Sequence, residues 1–253
     1  MLYAAKSHIG LVRQMNQDSL AVHSEFQPVQ LAVVADGMGG ASAGEVASRL
    51  AIDEVCRCVE QALLTHQGNE EEVLREAVYK ANRKIWEAAM EKEDYTGMGT
   101  TLVAALFDDE QVTFAHVGDS RGYILQSGEL KQVTNDHSLV AELVRRGQLT
   151  EEEALHHPQR NIVTRSLGTS EFSYPDIKKV AWQEDDVLML CTDGLTNLVT
   201  QGELTEHLRS LKTAKNNQEV EKVANSLIDL ALERGGSDNI TLVLVFHREE
   251  ERL

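Results

Sequence analysis

The order of the predicted elements in this 253-residue chain indicates an α+β sandwich. Strand-like apolar runs come first, a pair of amphipathic helices follows, and then come many strands, a second helix pair and a last strand. Short turns join the central strands, which is typical of antiparallel hairpins. Because the helices are grouped in pairs, this order favours antiparallel sheets covered by helices over an alternating parallel α/β fold.

The first part of the chain is predicted to contain strands followed by two helices. Residues 1–24 read as a strand, a turn at Gly10 and a second strand. Leu31 to Ala35 is an apolar run rich in β-branched residues and bounded by glycines, which predicts a strand buried on both faces. Apolar residues then recur at helical spacing over 41–64 and about 70–90, so we expect this helix pair to cover one face of a sheet.

The second part is predicted to be mostly strands, at residues 101–107, 111–117, 121–126, 130–133, 177–182 and 187–191. Two helices, over 203–211 and about 219–232, precede the last strand, which ends at Phe246. An acidic helical piece at 136–158 interrupts the strands. It is either a flap that covers a site or a solvated excursion, and the sequence leaves both interpretations open.

Composition indicates the broad class of the protein. No Pro/Gly/Ser-rich linker divides the chain, so we expect one domain over residues 1–253. The net charge of −17 argues against nucleic acid as a partner. No signal peptide and no apolar run of 18 residues stands in the sequence, so we expect a cytoplasmic protein without stable membrane insertion. The spacing of Cys56, Cys58 and Cys191 does not indicate a disulfide framework.

Four aspartates lie at the ends of predicted strands. Asp36, Asp119 and Asp193 each follow an apolar run, and Asp238 precedes one. If the strands converge, these carboxylates repel one another unless cations neutralise them. No zinc-type spacing of His or Cys occurs, so oxygen ligands and therefore Mg²⁺ or Mn²⁺ are predicted. For Asp36 taken alone, a helix cap in a strand-to-helix turn is the alternative.

Arg13 precedes Asp18 by five residues and permits two interpretations. It is either a partner in a surface ion pair, which would contribute little to stability, or a planar guanidinium that binds phosphate. His156 and His157 are expected at the surface, because no second histidine pair with ligand spacing accompanies them.

Nine short motifs extend over nearly the whole chain: Arg13…Asn16-Gln-Asp-Ser19, Ala35-Asp-Gly-Met-Gly-Gly40, Gly44-Glu45, Gly99-Thr-Thr101, His116-Val-Gly-Asp-Ser-Arg121, Asp136-His-Ser138, Thr164-Arg-Ser-Leu-Gly168, Thr192-Asp-Gly194 and Ser237-Asp-Asn-Ile-Thr241. In this order they resemble the metal-dependent serine/threonine protein phosphatases of type 2C, and the compact form resembles their bacterial branch. The resemblance implies a four-layer α-β-β-α sandwich, in which two packed antiparallel sheets are flanked by helix pairs. It also implies that a flap lies at about residues 137–170.

The resemblance further implies which groups hold Mn²⁺ or Mg²⁺. Asp36 would bridge two ions, the Gly37 carbonyl would bind the first, and Asp193 and Asp238 would complete the second. Asp119 together with Asp193 would hold the third ion of the bacterial members.

Two more residues and the reaction follow from the same resemblance. Asp18 would hold metal-bound waters, and Arg13 would bind the substrate phosphate through two N–H groups. A water bridging two ions would attack the phosphorus of phosphoserine or phosphothreonine without a phosphoenzyme. The implied partners are phosphorylated proteins, including a cognate serine/threonine kinase that the phosphatase opposes, and we expect a monomer.

The chain departs from the family pattern near the first aspartate. Ala41 and Met38 stand where bacterial and eukaryotic relatives, respectively, carry a histidine that is a candidate general acid. Either a metal-bound water then protonates the leaving oxygen, or turnover suffers. Gln17 replaces a frequent glutamate, His116 is expected in the packed core, and His137 is a weaker candidate beside the site.

Two other functions remain as alternatives. A non-catalytic member of the same fold would bind phosphoproteins, and only Ala41 supports this. A two-metal phosphodiesterase or nuclease would use similar ligands, but the acidic charge weighs against nucleic acid.

Overall fold

The computed structural model describes residues 1–26, 29–40, 43–66 and 68–248. Its strands are β1 (Leu2–His8), β2 (Asp18–His23), β3 (Gln30–Met38), β4 (Gly99–Thr100), β5 (Leu102–Phe107), β6 (Gln111–Val117), β7 (Arg121–Gln126), β8 (Glu129–Gln132), β9 (Asp176–Ala181), β10 (Val187–Cys191) and β11 (Ile240–Phe246). Its α-helices are α1 (Ala43–Thr65), α2 (Glu70–Glu91), α3 (Leu139–Arg145), α4 (Glu151–Leu155), α5 (Asp193–Thr196), α6 (Gln201–Arg209) and α7 (Asn217–Glu233).

The strands form two antiparallel sheets. One has the order β1-β11-β10-β7-β8 and the other β2-β3-β5-β6-β9, with the short β4 beside the end of β3. In the second sheet, β2 and β3 pair so that Asp18 lies opposite Asp36. In the first sheet, β10 and β11 are antiparallel, so the end of β10 lies beside the start of β11. Both sheets therefore present aspartates at strand ends.

The apolar run of β3 is buried on both faces, as the sequence predicts. Leu31 and Val33 pack in the core shared with α1 and α2. Ala32 and Val34 point the other way and pack against residues of the first sheet such as Leu190. Because successive side chains of β3 point to opposite faces, the strand contributes to both cores. Each fully buried Val or Leu side chain contributes on the order of 1.5–3 kcal/mol to the stability of the fold.

The two helix pairs cover the outer faces of the sheets. Helices α1 and α2 pack on the second sheet, and α2 begins with a capping box formed by Asn69 and Glu72. On the first sheet, Leu208 of α6 and Leu227 of α7 pack against strand residues such as Leu244. The four-layer α-β-β-α sandwich is thus confirmed.

Element boundaries differ from prediction where capping or short length decides. Helix α6 begins at Gln201 rather than Glu203, because Thr200 accepts from the Glu203 amide and Glu203 binds back to the Thr200 amide. Strand β4 and helix α5 are not predicted from the sequence, because they are too short to show a period. The cysteines are unpaired in the described structure, as expected.

The interrupting segment folds as two short helices on a closed stem. The bridge between Ser138 and Val163 and the bond from Leu139 N to Ile162 O at 2.9 Å bring its two ends together. Ser138 caps α3 and Thr150 caps α4. A groove between this flap (residues 137–170) and α5–α6 is lined by Asp119 and Asp193 as well as by flap residues. That this segment acts as a flap stays a prediction.

Candidate metal centre

Asp36 lies near the end of β3, and its main chain is held on both sides. Its amide donates to Thr101 Oγ1 at 3.0 Å, and its carbonyl accepts from the Thr101 amide at 2.8 Å. On the other side, the Gly37 amide donates to the Gln17 carbonyl at 3.1 Å. A Cβ at residue 37 would lie 2.0 Å from the Gly44 carbonyl oxygen, so only glycine fits. Helix α1 begins at Ala43, so Asp36 is not its cap and that alternative is wrong.

Asp18 lies opposite Asp36 in the register of β2 and β3 and is buried. Thr192 Oγ1 donates to Asp18 Oδ2 at 3.0 Å and accepts from the Thr241 amide at 3.0 Å. Within the described residues, Asp18 Oδ1 is buried and has no hydrogen-bond donor. Thr192 thus connects the carboxylate of one sheet to the edge of the other.

Asp193 and Asp238 come from neighbouring strand ends in the first sheet. Asp193 starts α5 directly after β10, and Asn197 Nδ2 donates to its Oδ2 at 3.0 Å. Its Oδ1 is buried, and no donor among the described residues reaches it. The Asn239 amide donates to Asp238 Oδ1 at 2.8 Å. The antiparallel pairing of β10 and β11 therefore places both carboxylates at one edge.

Asp119 follows β6 and is buried. Burial, and next the charge of Asp193, raise the pKa of Asp119 to about 7. Arg121 offsets only part of this effect, because its Nε and Nη2 already bind Asp136 Oδ2 at 3.0 and 2.7 Å.

The other carboxylates of the cluster also have raised pKa values, because they are desolvated and repel one another. Burial, followed by the charges of the other four aspartates, raises the pKa of Asp36 well above its ordinary value. Burial is the largest cause for Asp18, whose pKa rises to about 7, and for Asp193, whose pKa is also raised. Clustered buried and half-buried carboxylates, two of them with a buried oxygen that no described donor satisfies, fit divalent cations that prefer oxygen ligands.

Arg13 lies at the rim of this cluster. Its Nη2 donates to Asp238 Oδ2 at 2.8 Å, while its side chain is 51% exposed. The surface ion pair with Asp18 considered from the sequence does not form, because the partner is Asp238. Each carboxylate oxygen of Asp238 keeps a lone pair beyond these hydrogen bonds, so ligation of a cation stays open to it.

Two histidines, His116 and His137, lie beside the loop that carries Asp119. His116 is buried on β6, as expected, and stacks on His137 with ring centroids 4.6 Å apart. Burial, then His116 and Arg165, lower the pKa of His137 to about 4, so its ring is neutral near pH 7. His157 is half-buried, and its Nδ1 accepts from the Gln159 amide. His156 is exposed, as expected, and lines the groove that Asp119 and Asp193 also line.

The positions that depart from the family pattern are only partly described. Ala41 lies outside the described residues. Met38 ends β3 opposite Gly99. The Gln17 amide donates to Asn239 Oδ1 at 2.8 Å, so Gln17 lies where the two sheet edges meet.

Sequence reasoning missed two polar residues that hold the centre together. One is Thr192, described above, and the other is Asn239. Asn239 Nδ2 donates to the carbonyls of Ile9 and Met15 at 2.8 and 2.9 Å, which fixes the loop that carries Arg13. Both stand beside aspartates in the motifs, but a sequence position does not show which main-chain groups a side chain reaches.

Comparison with known proteins gives one family. The sequence model described as Protein phosphatase 2C matches residues 6–230. The chain is 42% identical over 238 residues to the serine/threonine phosphatase stp of Listeria monocytogenes, covering 93% of this chain and 92% of that protein.

Solved structures agree with this match. The serine/threonine phosphatase PstP/Ppp of Mycobacterium tuberculosis has a TM-score of 0.84 at 39% identity, with 96% of each chain covered. The structure of the PstP catalytic domain in complex with two manganese ions has a TM-score of 0.79 at 36% identity, with 96% of each chain covered. The matched length, the shared fold and the aspartate cluster lead to one conclusion: the chain belongs to the protein phosphatase 2C family.

Proposed function

We propose that this chain is a metal-dependent protein phosphatase that hydrolyses phosphoserine and phosphothreonine in proteins. The observation that carries the proposal is the aspartate cluster, in which Asp18 Oδ1 and Asp193 Oδ1 are buried without a described donor. A half-exposed arginine lies beside this cluster. The relatives' description as serine/threonine phosphatases supports the substrate class.

The aspartates are assigned to cations as follows. Asp36, the Gly37 carbonyl, Asp193 and Asp238 would hold two ions, and Asp119 would join Asp193 in holding a third. When bound, Mn²⁺ or Mg²⁺ ions activate water near neutral pH and neutralise charge on the phosphoryl group. The two manganese ions in the related PstP structure support the choice of Mn²⁺.

Arg13 binds the phosphoryl oxygens in this proposal. Only one of its nitrogens is engaged by Asp238 in the described structure, which leaves N–H groups directed to solvent. A planar guanidinium can hold two phosphoryl oxygens at once and stabilise their charge. Asn239 fixes the main chain of the Arg13 loop, and Thr192 fixes the orientation of Asp18. Both therefore maintain the geometry of the centre.

The cellular setting is part of the same proposal. A single domain over residues 1–253 acts as a cytoplasmic monomer on phosphorylated proteins and opposes a serine/threonine kinase. The unpaired cysteines support a reducing compartment. Within the described residues, no helix has both the length and the apolar character that a membrane crossing requires.

The test is phosphate release from a phosphothreonine peptide by purified protein. Release is expected with Mn²⁺, and it should disappear with EDTA and in Asp193→Ala. The exposed Asp53 of α1 supplies the matched control, since Asp53→Ala removes the same charge outside the cluster and should leave release unchanged. Absence of release from folded, Mn²⁺-loaded protein on several phosphopeptides would favour the non-catalytic alternative. Cleavage of DNA or RNA would favour the nuclease.

A further inference from the structure

His137 lies where the stem of the flap meets the loop that carries Asp119. The His137 amide donates to the Gly118 carbonyl at 2.9 Å, and the Gly118 amide donates back to His137 Nδ1 at 3.1 Å. The His137 carbonyl accepts from the Thr164 amide, on the returning stem of the flap, at 2.8 Å. One residue therefore bonds the strand end next to Asp119 and both stems of the flap.

Gly118 has little freedom of its own. Its φ of +105° favours glycine, and a Cβ there would lie 2.7 Å from Thr101 Cβ. Because Gly118 directly precedes Asp119, the two bonds to His137 also restrict the direction of the Asp119 side chain.

The Gly118 hydrogen bond requires one tautomer of His137. A backbone amide can only donate, so Nδ1 is the accepting nitrogen and the ring proton lies on Nε2. Nε2 is 3.4 Å from Asp176 Oδ2, while Asp176 Oδ1 accepts from Arg165 Nη1 at 2.8 Å. Arg165 Nη1, 2.9 Å from Nε2, is itself a donor and cannot receive this proton. With the proton on Nε2, the contact with Arg165 Nη1 holds no hydrogen bond, and Asp176 Oδ2 lies 3.4 Å from Nε2.

The same tautomer argues against a metal ion at the nearby group formed by His116, His137 and Asp176. These residues offer ligand atoms within 4.8 Å of one another. A metal would need the Nε2 lone pair of His137, which would move the proton to Nδ1 and set it against the Gly118 N–H. The guanidinium of Arg165 also lies beside Asp176. The cluster is therefore an organising contact rather than a ligand set.

We propose that His137 is a positioning residue that couples the flap to the Asp119 ligand, by accepting the Gly118 hydrogen bond on Nδ1 while its main chain bonds the Gly118 carbonyl and the Thr164 amide. Loss of the Nδ1 acceptor leaves a buried Gly118 amide unpaired, which releases Asp119 and the flap stem together. The cation ligated by Asp119 belongs to the proposed function, so the primary readouts do not depend on phosphatase activity.

The test uses three substitutions. His137→Leu removes both ring nitrogens, whereas His137→Asn keeps an oxygen close to the Nδ1 position as an acceptor for Gly118. His116→Leu is the matched control, because His116 is equally buried and stacks on the same ring but bonds the Asn135 carbonyl instead of Gly118. If His137→Leu does not fold, His137→Gln replaces it, since its longer amide extends toward Asp176 and leaves Gly118 unpaired.

Mn²⁺ binding is measured by calorimetric titration, and the binding step that disappears in Asp119→Ala is the step assigned to Asp119. Its dissociation constant should rise about 10-fold or more in His137→Leu, and by less than about threefold in His137→Asn and His116→Leu. Amide hydrogen exchange across residues 137–170 should accelerate only in His137→Leu.

Several results would overturn the inference. One is unchanged Mn²⁺ binding and hydrogen exchange in folded His137→Leu. Another is a loss of Mn²⁺ affinity in His137→Asn or in His116→Leu as large as that in His137→Leu. A third is an Asp119→Ala protein that keeps every Mn²⁺ binding step of the wild type. Failure of the wild-type protein to release phosphate would instead overturn the proposed function, and it would leave the binding and exchange results to decide the role of His137.

Discussion

Removing the charge of Asp18 should stabilise the metal-free protein, and the gain should depend on pH. Asp18→Asn keeps an oxygen that can accept from Thr192, so the hydrogen bond at 3.0 Å is preserved while the buried charge is lost. Burial raises the pKa of Asp18 from 3.8 to about 7. At about 1.4 kcal/mol per pKa unit, the charge costs at most about 4 kcal/mol, and we expect about 2–4 kcal/mol because the carboxylates share their repulsion.

The direction of the pH dependence follows from the pH at which the folded and the unfolded chain each release the Asp18 proton. The unfolded chain releases this proton near pH 4, while the folded chain keeps it up to about pH 7. Rising pH therefore favours unfolding across that interval, and the full penalty of the charge applies above about pH 7. In EDTA, Asp18→Asn should match the wild type near pH 4 and exceed its free energy of unfolding at pH 8.

The assay is urea denaturation from pH 4 to 8, in EDTA and in excess Mn²⁺. Saturating Mn²⁺ should reverse the order at pH 8, because ligand binding stabilises the wild-type cluster more. The control is the exposed substitution Asp53→Asn, which removes the same charge outside the cluster. The reasoning is refuted by a metal-free Asp18→Asn that is no more stable than wild type at pH 8, or by a gap that is independent of pH.

Two further predictions concern side chains that hold substrate or ligand. Arg13→Lys should lower kcat/KM for a phosphopeptide about 10- to 100-fold, since an ammonium cannot hold two phosphoryl oxygens in a plane, while the thermal melting temperature stays within about 2 °C. Steady-state kinetics and thermal denaturation measure these two quantities, and an unchanged kcat/KM would contradict the prediction. Thr192→Val should weaken Mn²⁺ binding about 10-fold and lower the free energy of unfolding by about 1–3 kcal/mol, because Asp18 and the Thr241 amide both lose a hydrogen-bond partner. Calorimetric titration and urea denaturation measure the two effects, and an unaltered affinity would show that Thr192 does not orient Asp18.

Three features show what could and could not be predicted from the sequence. The run ending at Asp36 predicts a strand buried on both faces, because only a two-sided core tolerates an unbroken apolar run, and the structure places alternate residues in two cores. The predicted start of α6 at Glu203 is two residues late, because the capping role of Thr200 outweighs the apolar period at the first turn. The interpretation of Arg13 as a surface partner of Asp18 failed because Asp238, far away in sequence, reaches it first.

The sequence by itself determined the α+β class, the strand-end aspartates and, through the motifs, the family and its expected ligands. These depend on local patterns: period, turn residues and residue order. Only the tertiary structure decided that Thr192 orients Asp18, that Asn239 holds the Arg13 loop, and that His137 joins the flap to Gly118. Each of these contacts joins residues of different strands or loops, and a hydrogen bond exists only once folding has brought its donor within about 3 Å of its acceptor.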